Sequence, residues 1–137
     1  MQKNVKLSIL TPEKVFFNGE VSQIIAETPE GEMGIMIGHM PSIAVVSDSL
    51  LKIEENGSWR SAALGQGIMD VSSSGIEFFV DTAEWGEDID VQRSEKALHR
   101  AEDRLHYGNL SRADYIRTRA AIARATARLK TAHSRKR

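Results

Sequence analysis

The sequence predicts an all-β sandwich, a flattened barrel of about ten short strands, followed by a C-terminal antiparallel α-helical hairpin. Three observations divide the 137 residues in this way. The first is charge. Residues 1–90 hold 5 basic and 15 acidic side chains and residues 91–137 hold 13 basic and 4 acidic, so a net charge of −1 conceals parts of −10 and +9. The second is turn chemistry: all three prolines and nine of the ten glycines precede residue 91. The third is hydrophobic spacing, which alternates or clusters in short runs in the first part and follows a helical repeat in the second. We place the sandwich in residues 1–86 and the hairpin in residues 87–137.

Within the acidic part, Val5, Leu7 and Ile9 alternate with Lys6 and Ser8, and Thr11-Pro12-Glu13 turns the chain. Val15-Phe16-Phe17 leads into Asn18-Gly19, with Val21, Ile24 and Ile25 beyond; Thr28-Pro29-Glu30-Gly31-Glu32 is the next break. Met33 to Met40 carries glycines at 34 and 38. Ile43-Ala44-Val45-Val46 and Leu50-Leu51-Lys52-Ile53 are short apolar runs. Asn56-Gly57 is a strong hairpin signal because both residues tolerate positive φ. Ala62-Ala63-Leu64, Ile68-Met69-Asp70-Val71 and Ile76-Glu77-Phe78-Phe79-Val80 complete the set, with Ser72-Ser73-Ser74-Gly75 as a second hairpin turn.

Residues 91–132 read as two helices. Asp90 is a good N-cap for the first, whose stripe is Val91, Ser94, Leu98, Ala101 and Leu105. His106-Tyr107-Gly108-Asn109-Leu110 breaks it, with Gly108 suited to the C′ position. Ser111 followed by Asp114 resembles a capping box for a second helix that runs to about Thr131. The largest apolar residues of that helix, Tyr115, Ile122 and Leu129, are spaced by seven, and alanines fill much of the rest. Such a seam buries little apolar area, and at roughly 25 cal/mol per Å² it holds the hairpin closed only with help from the sandwich, a ligand or a partner. A permanently docked hairpin and a moving arm, whose second helix would reach roughly 30 Å, both satisfy this pattern.

Composition excludes several classes. With no cysteine there is no disulfide scaffold, thiol nucleophile or cysteine-bound zinc. No apolar run approaches the length of a membrane span, and the N-terminus lacks the apolar stretch of a signal peptide, so a soluble, reducing compartment is the expected setting. No GxSxG, HExxH or P-loop pattern is present. Gly65-Gln66-Gly67 lacks a third glycine and reads as a turn or bulge. His39, His99, His106 and His133 are scattered without a carboxylate partner at ligand spacing, so no metal site is expected. Arg124 and Arg128 project from one helix face, Arg117 roughly shares it, and Arg93, Arg100 and Arg104 edge the first helix. Paired guanidinium forks suit phosphate groups of a nucleotide, carboxylates of a partner, or nucleic acid, and a solvated basic face is the simpler alternative. Nucleic acid is disfavoured, because this part has only Tyr107 and Tyr115 as aromatics and the other part is acidic.

Three segments carry a resemblance. They are Leu10-Thr11-Pro12-Glu13 with Val15-Phe16; Glu30 to Pro41, read as GExGIxxGHxP; and Asp81-Thr82-Ala83-Glu84 followed by Glu87-Asp88-Ile89-Asp90. In this order they resemble the epsilon subunit family of bacterial rotary (F-type) ATP synthases, relatives of the chloroplast epsilon and mitochondrial delta subunits. Two departures are Ile37, where many members have proline, and Ser47-Asp48-Ser49, which replaces a stretch that usually contains glycine.

The resemblance implies a non-catalytic central-stalk subunit of a proton-translocating ATP synthase, peripheral to the cytoplasmic face of the cell membrane and not inserted in it. The sandwich would bind the gamma subunit and rest on the c-subunit ring, with Glu32, Met33, His39 and Met40 at the rotor interface. The helices would reach the alpha and beta catalytic subunits and, when extended, inhibit ATP hydrolysis. No cofactor is required and no nucleic acid is a partner, but some members bind ATP in the folded hairpin as a regulatory ligand. Ile89-Asp90-Val91-Gln92-Arg93-Ser94 matches their I/L-D-x-x-R-A pattern except at Ser94, and Arg124 to Leu129 matches their paired-arginine segment. By that resemblance Arg93, Arg124 and Arg128 would face phosphates, while Glu84 and Asp90 hold the base and the pocket geometry. The alternative is a free-standing binding module for a small ligand or nucleic acid, with a basic hairpin.

Overall fold

The computed structural model describes residues 4–28, 31–35 and 41–134. Among them, ten strands form two five-stranded sheets. The strands are β1 (Val5–Leu10), β2 (Val15–Val21), β3 (Gln23–Thr28), β4 (Gly31–Ile35), β5 (Ser42–Val46), β6 (Ser49–Glu55), β7 (Ser58–Leu64), β8 (Gly67–Ser72), β9 (Gly75–Val80) and β10 (Ala83–Trp85). One sheet has the order β2-β1-β9-β8-β5 and the other β10-β7-β6-β3-β4. Only the β1–β9 pair is parallel among these ladders.

The alternation read in the sequence sets which face each strand buries. Leu7 and Ile9 of β1 and Ile76 and Phe78 of β9 point into the space between the sheets, where they meet Val21, Ile24, Leu51 and Ile53. Asn56 (φ 54°) and Gly57 (φ 82°) form the left-handed pair that joins β6 to β7. Asn18-Gly19, a pair common in turns, lies in the middle of β2, opposite Ser8 and Leu7. Pairing along β1, which carries the core residues, overrides the local turn preference.

β7 departs from simple alternation. Ser61, Ala62, Ala63 and Leu64 are buried in succession because this strand is covered on both sides. Its outer face, with that of β6, lies under the second helix. Serine and alanine there leave room for a helix backbone to approach.

The helices are α1 (Val91–Tyr107) and α2 (Arg112–Ser134), the latter three residues longer than the sequence suggested. Asp90 caps α1, accepting a hydrogen bond from the Arg93 N–H at 3.1 Å. Ser111 Oγ accepts from the Asp114 N–H at 3.2 Å. Gly108 ends α1 with extended angles (φ −80°, ψ 149°) rather than the expected left-handed C′ conformation. Its N–H donates to Arg104 O at 2.9 Å, and a Cβ would lie 2.5 Å from that same oxygen, so close approach selects glycine here.

α1 packs on α2, and α2 lies on β6, β7 and the 3₁₀ turn Gly86–Asp88. The buried stripe of α2 is Thr118, Ala125, Ala127, Thr131 and Ala132. Tyr115, expected in the seam, is 48 % exposed, and Ile122 and Leu129 are half-buried. Thr118 and Thr131 donate their hydroxyls to the carbonyls of Asp114 and Ala127, each at 2.7 Å, and so enter the seam without an unpaired group. The closest approach is at Gly86, where a Cβ would sit 2.8 Å from Thr131 O. Ala63, Ile89 and Ala132, with Val91, make a small apolar cluster at this junction, separate from the main core.

Candidate functional site

The junction between sandwich and hairpin holds the acidic and basic groups closest to ligand geometry. β10 adds a short edge strand to β7, with Glu84 opposite Ala63. That register aims Glu84 at α2. Arg128 Nε donates to Glu84 Oε1 at 2.8 Å and Arg128 Nη2 donates to Oε2 at 3.1 Å. The pair is bidentate and half-buried, the geometry in which a guanidinium and a carboxylate attract most strongly. Lys130 Nζ donates to Glu27 Oε1 at 3.3 Å, and Ser134 Oγ donates to Ser61 Oγ at 2.9 Å, so three polar contacts tie α2 to the sandwich.

Beside the Arg128–Glu84 pair lies a cavity of about 320 Å³, lined by Asp48, Gly65, Thr82, Glu84, Arg124, Arg128 and their neighbours. This is at the lower end of small-molecule sites, roughly 300–1,000 Å³. Arg124 stands one turn before Arg128 and lines the same space. The Gly65-Gln66 connection is fixed by Asp81, whose Oδ1 accepts from the Gln66 N–H at 2.9 Å, and by the Gly65 N–H, which donates to Thr82 O at 2.9 Å. A Cβ at Gly65 would collide with the Asp81 and Thr82 side chains, which accounts for the glycine.

Glu84, Arg124 and Arg128 are thus brought together. Asp90 and Arg93 are not on this cavity: Asp90 is the cap of α1, and Arg93 lies exposed on its first turn. Sequence reasoning gave no role to Asp48, just ahead of β6. No helical or strand spacing relates it to Arg124, so only the folded chain brings them together. Burial pushes the Asp48 carboxyl above its ordinary value of 3.8; Arg124 draws it back down and Asp81 adds to the rise. A raised folded-state value means stability that is complete below the unfolded value and is lost as pH rises through the folded one. Asp48→Asn, which cannot ionise, should therefore melt above the unsubstituted chain near neutral pH and lose that advantage as pH falls toward the unfolded carboxylate range. Identical melting curves across that range would contradict the burial argument.

Of the residues expected at a rotor interface, Glu32 and Met33 fall on β4, opposite Glu27 and Ala26. Their side chains, and His39 and Met40 altogether, lie outside the described residues. The other sheet presents an unexpected surface. Register places Val45, Ile68, Phe79, Leu10 and Val15 in one row across all five strands. Val45 is 88 % exposed and Val15 58 %, so the row is an apolar band facing solvent.

Residues 4–86 match the family model for the ATP synthase delta/epsilon chain β-sandwich domain, and residues 87–133 match that for the delta/epsilon chain long α-helix domain. The chain belongs to the ATP synthase delta/epsilon family. Similar curated epsilon chains are those of Ruminiclostridium cellulolyticum, 38 % identical with 95 % of this chain and 96 % of the relative covered, and Caldicellulosiruptor bescii, 40 % identical with 96 % and 95 % covered. The epsilon chain of Clostridium acetobutylicum is 43 % identical with 80 % and 83 % covered. The fold is also that of a chain in the Euglena gracilis mitochondrial ATP synthase OSCP/F1/c-ring structure, at a TM-score of 0.79, 22 % identity, and 90 % and 78 % coverage. A chain of the Tetrahymena thermophila ATP synthase central stalk and c-ring matches at a TM-score of 0.61 and 19 % identity, with 96 % and 98 % covered. Among the described residues of this delta/epsilon family member, no group of three or more His, Asp or Glu side chains is placed to hold a metal ion, and no helix is long and apolar enough to cross a membrane.

Proposed function

We propose that this epsilon-family chain is a non-catalytic central-stalk subunit of a proton-translocating ATP synthase. Its hairpin restrains ATP hydrolysis when released from the sandwich, and ATP in the seam cavity favours the docked state. One observation carries the reading: the cavity is shared between modules, with Glu84 and Asp48 from the sandwich side and Arg124 and Arg128 from α2. A ligand that needs both sides binds only the docked hairpin, and it shifts the equilibrium by that differential affinity. Glu84 engages Arg128 through Nε and Nη2, which leaves further guanidinium donors for a phosphate oxygen. Arg124 supplies a second fork one turn away, whereas Arg93, exposed on the first turn of α1, lies off the cavity and is left out of the site. Glu84 and Asp90 act by fixing the pocket's frame, Asp90 through its cap.

The sandwich is the docking part. The apolar row on its exposed sheet suits the gamma subunit. Glu32, Met33, His39 and Met40 meet the c-ring, and the basic helices reach the alpha and beta subunits when extended. On this reading the chain works at the cytoplasmic face of the cell membrane without entering it.

Two experiments test the reading. ATPase activity of the assembled complex should rise when the chain is stopped after Asp90, with assembly retained; unchanged hydrolysis would sink the inhibitory role. Titration of the isolated full-length chain with ATP should saturate, and Arg124→Ala should weaken binding by about 10-fold or more, as expected for loss of a charge-assisted contact. Equal affinity in both chains would remove the arginines from the site.

A further inference from the structure

The cavity already contains an anion for each arginine. Arg128 is matched by Glu84 through two hydrogen bonds. Arg124 lines the same cavity as Asp48 and favours its charge. The other ionisable group acting on Asp48 is Asp81, a like charge on the β9–β10 connection that disfavours ionisation. Asp48 is half-buried, and loss of water is the largest influence on it.

An incoming polyphosphate alters this balance in two ways that act together. It adds negative charge close to Asp48, and it engages the Arg124 guanidinium that had favoured the carboxylate. Each change favours the neutral acid. The resulting carboxylic acid carries an O–H that can donate to a phosphate oxygen, where the carboxylate would repel it.

We propose that Asp48 and a polyphosphate ligand compete for Arg124, so that binding shifts Asp48 toward its neutral acid and draws a proton from solvent. The proposal rests on the nucleotide-binding reading above and adds to it a proton. Each Asp48 that is neutralised takes one proton from solvent, one O–H bond forms, and no other bond changes. Affinity therefore rises as pH falls, until protonation of the ligand's own phosphates opposes it.

The test is calorimetric titration of the full-length chain with ATP, without added metal, across the neutral range and in two buffers of different ionisation heat. Asp48→Asn is titrated in parallel. ATP protonation enters both titrations equally, so the difference between the chains belongs to Asp48. The unsubstituted chain should take up more protons on binding than Asp48→Asn. The variant should bind about 10-fold more tightly above neutral pH, the size of a nearby like charge at moderate screening, and the gap should close as pH falls. Asp48→Ser provides the same comparison if the amide disturbs the loop.

Equal proton uptake and equal affinity in the two chains, with binding still lost in Arg124→Ala, would overturn the role of Asp48 and leave the nucleotide site standing. Weaker binding by Asp48→Asn would also overturn it, since the carboxylate would then be a ligand contact and not a competitor. No binding by any chain at any pH would remove both readings.

Discussion

Phe78→Ala should lower the free energy of unfolding by about 3–5 kcal/mol, the usual cost of emptying a buried phenylalanine site. Phe78 is 1 % exposed and lies on β9, whose neighbours are β1 on one side and β8 on the other. Its ring fills the space between the sheets among Leu7, Ile9, Leu51 and Ile53. Against a typical total of about 5–15 kcal/mol, that loss should move the urea midpoint far toward zero. Phe79, the next residue, faces outward and is 42 % exposed. Phe79→Ala should cost well under half as much in the isolated chain while weakening attachment to the assembled complex. Equal destabilisation by the two substitutions would show that the alternation does not divide the strand as described.

Gly86→Val should release the hairpin and leave the sandwich folded. The smallest added atom at Gly86 would lie 2.8 Å from Thr131 O, 3.3 Å from Thr131 Cγ2 and 3.4 Å from Ser61 O. Two of these belong to backbones, in α2 and in β7, and cannot swing aside as a side-chain tip can. Overpacking of this kind costs about 1–3 kcal/mol, comparable to what a seam of alanine, serine and threonine can supply. Amide hydrogens of α2 should exchange much faster, and protease should cut within the helices, while β1 and β9 keep their protection. Gly57→Ala is the control: nothing lies within 4 Å of a Cβ there, and the penalty is the positive φ of a surface turn. Unchanged exchange in α2 of Gly86→Val would mean that the seam is not set by this contact.

The fold was legible wherever one physical signal dominated. Val5-Leu7-Ile9 alternates cleanly because one face of β1 meets the core, and Asn56-Gly57 dictates its own turn through positive φ. Asp90 and Ser111 were recognisable as caps because capping is a local chemistry. Reading failed where tertiary contact decided. Large apolar residues pointed to Tyr115, Ile122 and Leu129 as the inner face of α2, yet the buried stripe is Thr118, Ala125, Ala127, Thr131 and Ala132. Hydrophobicity ranks size, whereas this seam selects smallness. In the site, the spacing of Arg124 and Arg128 was visible because one helix carries both. Their counter-charges Asp48 and Glu84 come from different strands and loops, and no periodicity connects them.

The smallness of the residues between α2 and the sheet has a thermodynamic corollary. Parting surfaces made of methyl and hydroxyl groups uncovers little hydrocarbon, so detachment of the arm should carry only a slight heat-capacity change and respond weakly to denaturant. Among the described residues, the charged contacts across this boundary are Arg128–Glu84 and Lys130–Glu27. Ionic strength, more than warming, is then the natural dial on the arm's posture, because dissolved ions weaken attraction between partly exposed charges.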